Sequence, residues 1–181
     1  MPFISTPDGD LKKVFLTDAW LLDQFVGNQL WGWGIQNGLG ALGDNTILGR
    51  SSPVQTVTGG TNWAQVSGMA AIKTDGTLWL WGNGAGGALG DNTALARSSP
   101  VQTISGGNNW KQVSTGTISN CLAIKTDGTL WSWGNNTSPL GGTIGDNTLV
   151  SKSSPVQTVM GGSNWKQVAH GANTSFAITN G

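Results

Sequence analysis

Glutamate and tyrosine are absent from this chain, cysteine and histidine occur once each, and charged residues fill only 10% of its 181 positions. Each shortage removes a class of protein. Helical bundles draw on Glu, Lys, Ala and Leu, so a chain whose nine acids are all Asp and whose glycines number 29 does not read as one. A lone Cys121 and a lone His170 exclude an internal disulfide, the usual zinc spacings and a Cys/His nucleophile pair at short range along the chain. They read instead as a small apolar filler and a polar strand-end residue. Nine basic residues balance nine acids, which leaves no electrostatic footprint for a phosphate backbone, and nucleic acid is not an expected partner. No apolar run reaches transmembrane length, and Met1 to Asp10 shows no basic stretch followed by an apolar one. Neither membrane insertion nor export by the general secretory route is expected.

What the chain does contain is one unit written three times. The first copy has Trp31-Gly32-Trp33-Gly34, Gly43-Asp44-Asn45-Thr46, Ser51-Ser52-Pro53-Val54-Gln55-Thr56, Asn62-Trp63 and Gln65-Val66. The second has Trp79-Leu80-Trp81-Gly82, Gly90-Asp91-Asn92-Thr93, Ser98 to Thr103, Asn109-Trp110 and Gln112-Val113. The third has Trp131-Ser132-Trp133-Gly134, Gly145-Asp146-Asn147-Thr148, Ser153 to Thr158, Asn164-Trp165 and Gln167-Val168. From Asp to Pro is nine residues in every copy and from Pro to the lone Trp is ten, so these stretches are scaffold. The step from the paired Trp to the Asp varies as 11, 10 and 13, and that from Val66, Val113 or Val168 to Ile72, Ile124 or Ile178 as 6, 11 and 10. Length changes collect in surface loops, which places both connections on exposed rims.

Asp75-Gly76 and Asp127-Gly128 sit between short apolar runs and signal hairpins with a tight two-residue turn. Ala-Ile-Lys then pairs antiparallel with Leu-Trp-x-Trp, whose alternation has the period of a strand and turns both tryptophans to one side. The Pro-Val-Gln-Thr and Trp-x-Gln-Val stretches supply two more strands. A four-stranded antiparallel sheet of about 50 residues cannot bury both faces alone, so units must stack. The fold class expected is all-β.

The order Asp-Gly-Thr-Leu-Trp-x-Trp-Gly, a Gly-rich loop, Ser-Ser-Pro-Val, Trp-x-Gln-Val and Ala-Ile resembles the repeat of the regulator of chromosome condensation family, over about residues 30 to 181. The resemblance implies a β-propeller, usually seven-bladed, with three of its repeats here (about 31–78, 79–130 and 131–181). It implies no particular activity, since members range from nuclear guanine-nucleotide exchange factors to bacterial and bacteriophage proteins that serve as scaffolds or binding surfaces. Residue 181 falls where other copies carry the Asp-Gly turn, so residues 30–181 read as the first part of a longer propeller. Closure between subunits is the second reading, because Gly27 to Gly34 supplies the half-hairpin that Gly181 lacks, and two copies would form a six-bladed ring.

Residues 1–29 lie outside the repeat. Thr17 and Asp18 read as a helix start, with Trp20, Leu21, Leu22, Phe25 and Val26 as the apolar side of a short helix over 18–26. The segment packs under the first blade or acts as an anchor, with Met1 to Lys13 as an extended arm. The only acidic constellation is Asp44, Asp91 and Asp146. One carboxylate per loop is too few for a strong calcium site, and Asp and Asn bonding local amides is the expected role. The tryptophans recur at fixed strand positions and read as core or interblade wedges. Arg50, Arg97 and Lys152, like Lys73 and Lys125, follow the repeat and form no patch. No catalytic, cofactor or metal site is assigned, and the binding residues are left open.

The function expected is a non-enzymatic structural or interaction propeller. The finer expectation is a bacteriophage virion component of neck, tail or fibre, assembled in the host cytoplasm without an export signal. Its expected partners are other virion proteins through residues 1–29, further copies of itself, and a host receptor or glycan. An exchange factor for a small GTPase and a carbohydrate-binding propeller are the alternatives. Mass spectrometry of the native protein checks the longer-chain reading: a subunit heavier than 18.7 kDa is expected, and one near 18.7 kDa rejects it.

Overall fold

Short apolar runs punctuated by glycine-bearing turns fold as antiparallel strands throughout the described part of the chain. The computed structural model describes residues 4–5, 11–12, 27–36, 38–105, 107–116, 119–137, 142–171 and 174–181. In the N-terminal arm, β1 (Ile4–Ser5) pairs with β2 (Leu11–Lys12), so the arm folds back on itself there. The expected helix over 18–26 lies outside the described residues.

From residue 31 onward the strands are β3 (Trp31–Gly34), β4 (Arg50–Gln55), β5 (Trp63–Ser67), β6 (Ala70–Lys73), β7 (Leu78–Gly82), β8 (Arg97–Gln102), β9 (Trp110–Thr115), β10 (Asn120–Lys125), β11 (Leu130–Gly134), β12 (Lys152–Gln157), β13 (Trp165–His170) and β14 (Ser175–Thr179). Two four-stranded sheets, β5-β6-β7-β8 and β9-β10-β11-β12, are complete blades. They are flanked by two half blades, β3-β4 and β13-β14. A blade therefore starts at the lone Trp63 or Trp110, and its sheet straddles the point where the repeat was counted from the paired tryptophans. Hairpin connectivity explains the offset. Trp-x-Gln-Val, Ala-Ile-Lys and Leu-Trp-x-Trp follow one another through short turns and must pair in that order, while the stretch after β8 crosses to the next blade.

The first strands β5, β9 and β13 adjoin one another and line the propeller axis, which leaves β4, β8 and β12 outermost. The Gln65 side chain bridges the first two of these strands, accepting from Val113 N at 3.0 Å and donating to Val113 O at 3.1 Å. Gln112 repeats half of this tie, accepting from Val168 N at 3.1 Å.

The hairpin turn is longer than the two residues expected. Lys73 N donates to Thr77 O and Gly76 N to Lys73 O, which makes a three-residue loop, Thr74-Asp75-Gly76, with Gly76 at φ 79°. Asp75 selects this form by accepting from both Thr77 N (2.9 Å) and Thr77 Oγ1 (2.6 Å), and only glycine takes the left-handed step at no steric cost. Asp127, Gly128 and Thr129 repeat it.

Apolar burial lies between blades rather than inside one. Ala70, Ile72, Leu78, Leu80 and Leu89 of the first complete blade pack with Trp110, Val113, Cys121, Ala123 and Trp133 of the second. Leu122, Ile124 and Leu130 pack with Val168 of the following half blade. Trp110 meets both members of one tryptophan pair, Trp131 and Trp133, with ring centroids 6.3 and 6.0 Å apart, so the pair does face one side. Trp133 is fully buried and its Nε1 donates to Ala88 O at 3.0 Å in the loop of the preceding blade. Trp133→Ala should lower unfolding free energy in urea by about 3–5 kcal/mol, because it opens a cavity between blades and leaves that carbonyl only the weak thiol donor of Cys121.

Candidate interaction surface

The Gly-Asp-Asn-Thr loops form the outer rim, and each is built around its aspartate. Asp44 accepts from Thr46 N (3.1 Å), Thr46 Oγ1 (2.7 Å) and Arg50 Nε (3.0 Å). Asp91 accepts from Thr93 N (3.0 Å) and Oγ1 (2.7 Å), and from Arg97 Nε (3.1 Å) and Nη2 (2.9 Å). Asp146 accepts from Thr148 N and from Asn136 Nδ2, with Lys152 Nζ at 3.6 Å. The recurring cations thus pair with the recurring acids, as ion pairs whose cationic partners stay partly solvated. The carboxylates face local amides and hydroxyls, which is the Asx-type role expected of them. Among the described residues no three His, Cys, Asp or Glu side chains gather as metal ligands would.

The asparagine after each aspartate sits at φ 60°, 63° and 59° in Asn45, Asn92 and Asn147, a region that Asn enters more readily than most residues. This step turns its amide toward the next blade. Asn45 N donates to Ser98 O and Asn92 N to Ser153 O, each at 2.8 Å. The rim loops therefore fasten blades together at the outside, as the glutamines do near the axis.

What the loops leave outward is apolar. Leu48, Leu95 and Val150 occupy one repeat position and are 62%, 61% and 62% exposed. Val57, Ile104 and Val159, at the far end of the outer strand, are likewise exposed. Val57 N, Ile104 N and Val159 N each donate to the glycine carbonyl that opens the adjacent Gly-Asp-Asn-Thr loop. Leu149 and Val159 line one shallow cleft. Because Leu48 and Leu95 stay exposed although the next blade is in place, their exposure belongs to the fold and not to an open end. Nothing in the sequence reading singled out these positions. The available signal was an apolar residue repeated inside an otherwise polar loop.

The other conspicuous side chains are structural. Trp63, Trp81, Trp110 and Trp133 are buried, whereas Trp31 and Trp33 on the first half blade are exposed. Lys73 Nζ lies 4.9 and 4.7 Å from the rings of Trp63 and Trp79, and Lys125 Nζ lies 4.7 and 4.4 Å from Trp110 and Trp131, so each lysine is held between two indoles. Cys121 is buried against Ala88 O, and burial pushes its thiol well above the ordinary range, which leaves no thiolate for chemistry. His170 ends β13, with its Nδ1 2.6 Å from Gly171 O.

Sheets stacked about an axis, tied by tryptophans inside and by loops outside, define a β-propeller. Two models of the regulator of chromosome condensation (RCC1) repeat match the chain, one over residues 75–122 and one over 110–138. Among solved structures, human WBSCR16 is similar at 21% identity and a TM-score of 0.66, over 86% of this chain and 41% of its own. Prp20p from Saccharomyces cerevisiae is similar at 18% identity and a TM-score of 0.67, over 83% of this chain and 39% of its own. Yeast RCC1 (Prp20), in a crystal structure with Kap60, is similar at 19% identity and a TM-score of 0.60, over 94% of this chain and 44% of its own. The chain thus spans about two fifths of the length of these structures. No curated protein matches.

Burial disfavours the charge on Asp44, Asp91 and Asp146, but the hydrogen bonds from Thr46, Thr93 and Thr148 and the paired cations outweigh it and hold all three below the ordinary carboxylate value. The Thr77 and Thr129 hydroxyls and amides do the same for Asp75 and Asp127. A carboxylate whose folded value is depressed stabilises the fold above its unfolded value of about 3.9, and that stability is lost as pH falls through the folded value. The urea midpoint should therefore hold steady from about pH 7 to 5 and fall below about pH 4. Asp91→Ala should cost about 1–3 kcal/mol at pH 7 and reduce that acid slope.

Proposed function

We propose that the chain is a non-enzymatic structural or interaction module that offers the outer rim of its propeller to a protein partner. The observation that carries this reading is the row Leu48, Leu95 and Val150: equally exposed apolar side chains, one per repeat, on loops whose charges are already paired internally. A surface of this kind favours contact by apolar burial and backbone hydrogen bonds over capture of a charged small molecule. The similar yeast protein Prp20p is described with binding properties to Gsp1p and histones, and yeast RCC1 (Prp20) is described bound to Kap60, so propellers of this shape do meet proteins.

The finer reading is a bacteriophage virion component, with residues 1–29 as its link to the particle. It is supported by a charge-poor composition with 29 glycines and by the segment outside the repeat. Antibody labelling of purified native particles tests it: label on the particle surface is expected, and label found only in soluble host fractions rejects it. In parallel, a nucleotide-release assay with small GTPases and a glycan array should both be negative. Stimulated release would favour the exchange-factor alternative, and selective glycan binding the carbohydrate one.

A further inference from the structure

We propose that a cavity of about 170 Å³ between the two complete blades binds an uncharged compound of one six-membered ring that carries a hydroxyl group. This inference does not rest on the rim reading above. Leu80 and Trp81 of β7 form the wall on the side of the first complete blade, and Cys121 and Ser119 face them from the second. Leu39 and Ala41, in the loop before β4, close the remaining side. That loop is fixed in place, because Trp81 Nε1 donates to Ala41 O at 2.9 Å and Asn45 N to Ser98 O at 2.8 Å. No residue of the half-blade strands β3 or β14 enters the wall.

The space exists because the chain is short there. From Val66 to Ile72 is 6 residues and from Trp81 to Asp91 is 10, each the shortest of its three copies. Met69 lies on the first connection, Asn83 and Leu89 lie on the second, and all three line the cavity. In the second complete blade the matching connections take 11 and 13 residues, so more chain is available to cover the same place. The wall cannot move inward to close the gap. Trp81 is tied to Ala41 O, Cys121 Sγ lies 3.4 Å from Ala88 O, and Leu80 and Leu89 are packed into the interblade core. A gap in an otherwise close-packed interior forfeits dispersion contacts that a bound molecule of the right size restores.

Size, charge and hydrogen bonding select the ligand. An apolar cavity of about 150 Å³ takes a benzene molecule, so this one admits a single ring and a small substituent. Among the described residues that line it none is Asp, Lys, Arg or His, and an ion entering it would lose its hydration without a counter-charge. Polar atoms gather at one place. Asn83 Nδ2 donates to Ser119 Oγ at 3.1 Å, which joins the loop after β7 to the residue before β10, and Asn83 Oδ1 accepts from Ala85 N at 3.0 Å. A second hydrogen on Asn83 Nδ2 can donate to a ligand hydroxyl, and the second lone pair of Ser119 Oγ can accept its proton. Ser119 also has φ 63°, and among the described residues only glycines and the three rim asparagines share a positive φ. Glycine would take this step without steric cost. Serine is held in it by Asn83 at its hydroxyl and by Asn135 N, which donates to its carbonyl at 2.8 Å. Strain of this kind collects at ligand clamps, and a ligand that uses the hydroxyl accounts for the serine.

Phenol tests the site. Titrated into the isotope-labelled 181-residue chain, it should shift the nuclear magnetic resonance signals of the Trp81 indole N–H and the Cys121 amide to saturation, with a Kd of about 1 mM or tighter, and leave the Trp165 indole signal in place. Benzoate, the same ring with a charge, should bind at least about tenfold more weakly. No saturable shift at Trp81 and Cys121, or benzoate as tight as phenol, would overturn the proposal. Among the described lining residues Leu39 alone is exposed, at 37%, so Leu39→Trp should fill the entrance and weaken phenol at least about tenfold while the core stays intact. Ser119→Gly removes the hydroxyl and the strained serine together. It should weaken phenol about tenfold and leave toluene, which has no hydroxyl, unchanged. Near-UV circular dichroism confirms that both variants fold. Phenol bound as tightly by either folded variant, or phenol and toluene weakened alike by Ser119→Gly, would overturn the assignment of the site.

Discussion

An indole N–H that crosses from one blade to the next is the contact around which the other features arrange themselves. Trp81 and Trp133 each insert between sheets and donate to a carbonyl in the Gly-rich loop of the preceding blade, Ala41 O and Ala88 O. Those carbonyls lie outside any strand ladder and need a donor once buried, and the indole needs an acceptor once it leaves water. One bond settles both needs while the ring fills the space between sheets. The loop has to come close enough to be reached. Gly43 and Gly90 lie against the Trp81 and Trp133 rings with φ 68° and 66°, where a side chain would be strained, and at Gly90 it would also crowd the Trp133 indole.

From that close approach the rim follows. Having met the tryptophan, the chain must turn outward to reach the outer strand, and it does so through an aspartate that gathers a threonine amide, a threonine hydroxyl and a cation. The asparagine beside it takes a left-handed step and ties the loop to the following blade. Charge is consumed inside the loops, so the outward residues that remain are apolar or small and polar. A low-charge rim with a periodic apolar row is thus a by-product of how the blades are fastened, and it is also what a protein partner could use.

Much of the architecture was legible in the residues. The Asp-Gly turns, the alternating Trp-x-Trp strands and the invariant Asp-to-Pro and Pro-to-Trp spacings mark short strands and their order, because turn chemistry and strand period are local properties. The pairing of Asp44, Asp91 and Asp146 with the cation six residues later was also within reach of local chemistry. The hairpin length was misjudged. Asp-Gly is compatible with two- and three-residue loops, and the choice fell to Thr77, whose amide and hydroxyl both bind Asp75. The blade boundary was equally hidden in a repeat whose copies can be counted from any starting point.

By itself the sequence determined that this is an all-β protein of stacked four-stranded units, since a hairpin-rich chain with no glutamate and a recurring Trp-x-Trp strand has little else to become. Tertiary structure alone decided which tryptophans are wedges and which are bare, which strand lies at the axis, and which apolar residues remain outside. Trp33 and Trp133 are the same residue in the same local pattern, yet one is open to solvent and the other fully buried. Their burial depends on a neighbouring sheet far away along the chain, and no window of local residues carries that information.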